Sequence, residues 1–373
     1  MYEDFLKDIM KEIDSKENEI EDTNLSNLIV MIWLKNKMEL DDNNFKENFV
    51  KIITELGSND LKEDEELNQI LFMFGYKMRE DIRLENKGFR NRMEQHYGLE
   101  FYYLELFEIL SRELGALYEK NLDKLDNSQT EKLLRLQHIR ACSIYAEVIH
   151  LIKGGYGTGA LTRFRSLHEL AVITEFIISN GEAAADCYFD YLPVMQKKDI
   201  IFQEKVLGEA LLDENYGSEL EATLSEIEHK RGKDFVNVRN YNDYVWAEDY
   251  LLKGVKPSFN QIRNAIQRKE GIKPYKIASN NIHSAPRSLT SSLGTLNGEV
   301  NGGASNIGVS LPGTWSTHEL LQINILVFEK LNENESIGLI DRLQGMFTLK
   351  MMTYIAKMLY SNFPNKEESL FEA

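Results

Sequence analysis

The sequence predicts an all-α protein built as a helical bundle. Three observations carry this. Apolar residues recur at three- and four-residue steps along most of the chain, which is the period of one helix face. Six prolines in 373 residues leave long runs free to be helical. No segment alternates apolar and polar residues as a half-buried strand does, apart from one hairpin-like stretch in a Gly-rich segment.

Taken in order, 2–17, 24–40, 44–56 and 60–80 read as helices, joined by polar connections such as ELDDNN at 39–44. The charged stretch RLENKGFRNR at 83–92 reads as the border between an acidic N-terminal helical subdomain, 1–85, and a helical bundle core, 86–363. The core opens with one long helix over 92–124. A second covers 129–153 and stops at Gly154-Gly155. YGTG at 156–159 reads as a turn. A third long helix follows from about Ala160 to Ser179 and ends at Asn180-Gly181. Residues 182–211 continue as one or two helices, with Pro193 a kink or a start, and 217–231 form an exposed, charged helix. Shorter helices are expected at 257–268 and 274–285, the second ended by Pro286. The segment 294–313 is Gly-rich and reads as a long loop, of the kind that is functional or disordered. Helices at 317–333 and 337–361 close the bundle, and 364–373 reads as a frayed tail.

Charge narrows the partners. The formal net charge is −17, and positions 1–85 hold 22 acidic against 11 basic residues, so −11 of it lies there. Phosphate contacts need Lys and Arg, which excludes a broad nucleic-acid surface in that part. It leaves room for a protein partner there and for a small basic site elsewhere. The two cysteines, Cys142 and Cys187, have no metal-ligand spacing and read as small buried hydrophobes of a reducing compartment. The chain opens on an acidic amphipathic stretch with no signal-peptide pattern, and its longest apolar run, Leu28 to Leu34, is too short to span a bilayer. A cytoplasmic protein without a membrane partner is expected.

The candidate chemistry starts in LTRFRSLHELAVITEF at 161–176, which carries Arg163, Arg165, His168 and Glu169 on an otherwise apolar helix. Arg165 and Glu169 lie one turn apart on one face. They are either a half-buried ion pair holding helices in register, or a pair aimed into a cavity. Arg suits phosphate or carboxylate because its fork donates two parallel hydrogen bonds. In YKIASNNIHSAPRS at 275–288, His283 shares a helical flank with Ser279 and Asn280, and Arg287 follows. A His there can serve as acid or base, or can simply pack against a neighbouring helix. Two Glu-x-x-His pairs, Glu147 with His150 and Glu226 with His229, have the spacing of a di-iron bundle site, although chance matches are common in a Glu-rich chain. GGYGTGALTR at 154–163 places glycines before a helix start, where backbone N–H groups can cradle an anion. The aromatic cluster YNDYVWAEDY at 241–250 reads as a packing anchor. No phosphate loop, nucleophile elbow or paired Cys-x-x-Cys is present.

The order of TRFRSLHEL, NDYVWAEDYLL and YKIASNNIHSAPRS resembles a bacterial helical family known as a domain of unknown function, over roughly 95–360. That family in turn looks related to the HEPN superfamily, many of whose members are metal-independent ribonucleases of toxin–antitoxin, CRISPR and phage-defence systems. The resemblance implies a HEPN-like core and frequent dimerisation. Its signature, an Arg four to six residues before a His, is met by Arg163 and His168. Arg163 would then stabilise the phosphate and His168 would act as acid and base on the RNA 2′-OH. There is one departure: residues five apart on a straight helix differ by about 140° in direction, so Arg163 and His168 would not converge. Arg165, Glu169 and His283 form an equally good set.

Three functions follow as expectations. The first is a HEPN-like metal-independent endoribonuclease, a toxin or phage-defence effector, homo-oligomeric and without cofactor. Arg163, Arg165, His168, Glu169 and His283 would be catalytic, with Ser279, Asn280 and Arg287 contacting substrate. The second is a non-enzymatic helical binding or scaffold protein in which the same residues are structural. The third is a di-iron helical-bundle enzyme.

Overall fold

The computed structural model of the chain describes residues 65–126, 128–208, 214–240, 242–283, 286 and 302–371. The expected helices at 2–17, 24–40 and 44–56, residue Arg287, and the Gly-rich stretch up to 301 lie outside these. The chain divides into two units, Met1–Phe89 and Arg90–Ala373. The second holds almost every described side chain and is the bundle.

All regular structure among the described residues is helical. Helix α1 covers Glu65–Lys120, α2 Gln129–Lys153, α3 Gly157–Asn180, α4 Glu182–Leu207 and α5 Glu214–Arg231. After a 3₁₀ turn at Val245–Tyr250 come α6 Phe259–Ala265, α7 Ile272–Ile282, α8 Ser310–Glu333 and α9 Leu339–Glu368. Helices α2, α3 and α8 pack against one another, α9 lies on α8, and α7 sits on α3. The bundle portion of α1 joins them through Tyr97 against Phe363 of α9, with ring centroids 5.5 Å apart, and through Ser111, which accepts a hydrogen bond from Asn324 of α8. Among the described residues no helix is long and apolar enough to cross a membrane.

Local chemistry explains several boundaries. Ser128 and Glu131 form a reciprocal capping box at the start of α2. The Glu182 carboxylate adds a second cap by accepting from the Gln129 and Thr130 backbone N–H groups at 2.6 and 3.0 Å. Gly181, with φ +78°, turns the chain from α3 into α4. Pro193 lies inside a single helix, α4. Trp246 of the 3₁₀ turn, 4% exposed, packs edge-on against Tyr188 and Phe176, so the aromatic cluster is a packing anchor.

Three expectations need correction. The helix expected at 92–124 starts earlier: 83–92, which holds the border between the two units at Phe89–Arg90, is continuous α1, and the lone Gly88 costs a helix only about 1 kcal/mol. Helix α8 begins at Ser310, inside the expected loop. Its first amides meet a carboxylate: Glu367 accepts from the Val309 and Ser310 backbone N–H groups at 2.8 and 3.3 Å and from the Ser310 hydroxyl at 2.6 Å. For the same reason residues 364–368 are not a frayed tail but the last turns of α9. Glu367→Ala should cost about 1 kcal/mol, a fall of a few degrees in melting temperature measured by circular dichroism.

Candidate functional site

Helix α3 presents polar side chains in three directions, and the structure separates them. The first group lies at the surface. Arg165 Nε donates to Glu169 Oε1 at 2.9 Å, with the two side chains 21% and 30% exposed. Tyr275 of α7 donates its hydroxyl to the same Oε1 at 2.8 Å, and the Arg165 guanidinium lies over the Tyr275 ring, 5.3 Å from its centroid. Arg165 Nη1 reaches His283 Nε2 at 3.5 Å. His283 is the exposed C-cap of α7. Residues far apart in sequence thus place a guanidinium, a carboxylate, a phenol and an imidazole together at the protein surface. Burial first, then the hydrogen bond and charge of Glu169, push the Tyr275 hydroxyl up to about 12, so it stays a donor. Burial opposes the charge on Arg165, but the Glu169 hydrogen bond and the neighbouring Tyr275 and Glu169 hold it above its ordinary value.

The second group is buried. His168 is fully enclosed, and its Nδ1 donates to Glu319 Oε1 of α8 at 2.9 Å. Its Nε2 has no hydrogen-bond partner. The ring is surrounded by Phe164, Phe259 and Tyr275, at centroid distances of 5.9, 5.9 and 5.2 Å. Glu319, itself fully buried, is paired on its other oxygen by Arg268 at 2.5 Å, and Arg268 also reaches Glu175 at 2.7 Å. A buried charge persists when it is paired and hydrogen-bonded, and this chain of contacts meets both conditions. The third direction belongs to Arg163, which pairs with Glu147 of α2.

Arg163 and His168 therefore do not meet. One faces α2 and the other is buried against α8, as their 140° separation on a regular helix requires. The structure does bring together Arg165, Glu169 and His283. Ser279 donates to the Tyr275 carbonyl of its own helix at 2.9 Å, and Asn280 is half-buried.

Residues 131–300 match the model of a family of unknown function, DUF5677. No curated protein and no solved structure matches the chain. The DUF5677 stretch is shorter than the 95–360 over which the sequence resemblance runs. It extends from the first turn of α2 past α7 and so contains the whole surface group of Arg165, Glu169, Tyr275 and His283. The buried group is different: His168, Glu175 and Arg268 lie in the DUF5677 stretch, but Glu319 comes from α8 beyond it.

Other sequence candidates fare less well. His150, Glu226 and His229 are exposed, and Glu147 is taken by Arg163. Among the described residues no group of three or more His, Cys, Asp or Glu is arranged to hold a metal. The glycines before α3 do not form an open anion cradle. A Cβ on Gly157 would overlap the Gly308 carbonyl, and Ser305 donates its backbone N–H to the Gly155 carbonyl at 2.9 Å, so the chain at 302–309 covers that helix start.

Sequence reasoning missed Glu319, Arg268 and Gly271. A signal existed for the first: polar Ser316, Thr317, His318 and Glu319 interrupt an otherwise apolar helix, as Arg165 and His168 do in α3. Gly271 matters for geometry. It is the N-cap of α7 with φ +75°, and a Cβ there would lie 2.8 Å from His168 Cε1 and 3.0 Å from Glu319 Oε1. The buried group thus seats the N-cap of the helix that carries Tyr275 and ends at His283. Gly271→Ala should cost at least about 2 kcal/mol from the left-handed backbone and the crowding together, read as a lower denaturation midpoint at unchanged slope.

Proposed function

We propose that the surface group is the active site of a metal-independent endoribonuclease. The observation that carries this is the placing of Arg165 between Glu169 and His283, with its Nη1 at the imidazole and its Nε held by the carboxylate. Arg165 would bind the scissile phosphate and offset charge developing on its oxygens. His283 Nε2, the acceptor in this geometry, would take the proton from the RNA 2′-OH as the 2′-oxygen bonds to phosphorus. The 5′-oxygen leaves and takes a proton from solvent. Glu169, with Tyr275, holds the guanidinium in place. The resemblance to HEPN ribonucleases adds the substrate class, with Arg165 and His283 replacing Arg163 and His168 as the working pair. A toxin or phage-defence role and a homo-oligomeric state belong to the same reading, and are checked by growth arrest on induced expression and by light scattering.

The test is incubation of purified protein with total RNA in excess EDTA. The expected products end in 2′,3′-cyclic phosphates. RNA left intact at high enzyme concentration would overturn the proposal. One observation favours a second reading, a non-enzymatic helical scaffold: Arg165 and Tyr275 both bond to Glu169 Oε1, as in a structural cluster. On that reading Arg165→Ala lowers the melting temperature and no RNA is cut by any variant.

A further inference from the structure

Away from the Arg165 group, α1 and α2 enclose a half-open cavity of about 460 Å³. Packed interiors rarely leave gaps larger than one water, whereas small-molecule pockets fall in this size range. Residue choice creates it. Gly115 and Ala116 on α1 and Ser143 and Ala146 on α2 line it, where larger side chains would fill the space.

His138 lies at its inner wall, 5% exposed. Neighbouring hydrogen bonds fix its tautomer. Asn324 of α8 donates through its amide nitrogen to the Leu320 carbonyl and to Ser111 Oγ, each at 2.9 Å. Its Oδ1 therefore faces His138 Nε2, 3.1 Å away, and accepts from it. Nδ1 is left as an acceptor. The Cys142 sulfur lies 4.0 Å from it and nearer Nε2, at 3.7 Å, so that sulfur sits beside the ring and not along the lone pair. Burial lowers His138 below its ordinary 6.5 and raises the Cys142 thiol to about 12, so both stay neutral. The Nδ1–Cε1 edge lies against Gly115, where a Cβ would come within 2.6 Å of Cε1 and 2.9 Å of Nδ1; glycine is what lets the ring pack there, at a wall that Gly115 and His138 share with the cavity. At the rim, charges cancel in pairs: Glu108 with Arg112 at 3.5 Å and Glu119 with Arg135 at 2.5 Å.

We propose that this cavity binds a small, uncharged, largely apolar molecule, about the bulk of two or three fused rings, whose hydroxyl or N–H donates to His138 Nδ1. Ala116, Ile139 and Val327 supply the apolar wall for its body. The internally paired rim offers no unmatched charge, which selects against an ionic ligand. The cavity shares no residue with the Arg165 group, so neither reading depends on the other.

The test uses the full chain and a matched pair of probes, 2-naphthol and its methyl ether 2-methoxynaphthalene, by calorimetry and ligand-observed NMR. The naphthol should bind saturably near one per chain. The ether, which keeps the rings but lacks the donor, should bind about tenfold more weakly or worse. Ala146→Trp and Ser143→Leu each fill the space and should lower naphthol affinity by a similar factor with helical circular dichroism unchanged. No saturable naphthol binding, equal affinity for the two probes, or full affinity in both filled variants would overturn the proposal. If Ala146→Trp fails to fold, Ser143→Leu and the probe pair on the unaltered chain decide it.

Discussion

Glu319→Ala should lower stability by roughly 3–5 kcal/mol, the usual cost of removing one partner from a buried ion pair. Two groups lose their partner at once. Arg268, 6% exposed, keeps only Glu175, and His168 Nδ1 keeps nothing. The measurement is equilibrium denaturation with urea, in which the midpoint falls while the slope holds. The paired replacement Glu319→Leu with Arg268→Met should recover the part of the loss owed to Arg268, because apolar residues of similar bulk replace a buried pair at little cost, while His168 Nδ1 stays unpaired. A Glu319→Ala stability within about 1 kcal/mol of the unaltered chain, close to the usual spread of surface substitutions, would mean that water reaches these charges.

His283→Ala and Arg165→Ala should each reduce the rate of RNA cleavage by about 10²- to 10⁴-fold, the range for losing an acid–base group or a charge-stabilising donor. Their effect on stability should be much smaller than that of Glu319→Ala. His283 is exposed, and the Arg165–Glu169 pair is partly solvated. Arg165→Lys keeps the charge but loses the planar fork, and should fall between Arg165→Ala and the unaltered chain. Initial rates in EDTA beside thermal melts separate the cases. Lost cleavage at unchanged melting temperature supports chemistry at this site, whereas variants that cut RNA at full rate remove these residues from the mechanism. Arg163→Ala and His168→Ala supply the contrast. Arg163 is engaged with Glu147, so its loss should leave the rate unchanged, while loss of His168 should act through stability.

What is legible in the sequence follows from local rules. The start of α2 is written in Ser128 and Glu131 and its stop in Gly154; the face of α3 shared by Arg165 and Glu169 follows from helix geometry alone. His283 is a candidate because a polar flank meets a Pro-terminated helix end. What is not legible depends on which helices become neighbours. His168 reads as a reacting group because nothing local says that Glu319, 151 residues away, encloses it. The polarity of 83–92 marks the border between the two units but no break in α1, since an exposed helix can be polar all round. Tyr275 and Gly271 acquire meaning only once α7 lies across α3, where one hydroxyl finds Glu169 and one missing side chain makes room for an imidazole.

The cap that Glu367 lends to α8 has a practical side. A shortened chain that stops before Glu367 loses the carboxylate that meets the Val309 and Ser310 amides. The damage would surface at the start of α8, beside the stretch at 302–309 that lies over the beginning of α3. Deletion series on this protein should therefore stop after Glu367, and affinity handles belong beyond it on a spacer.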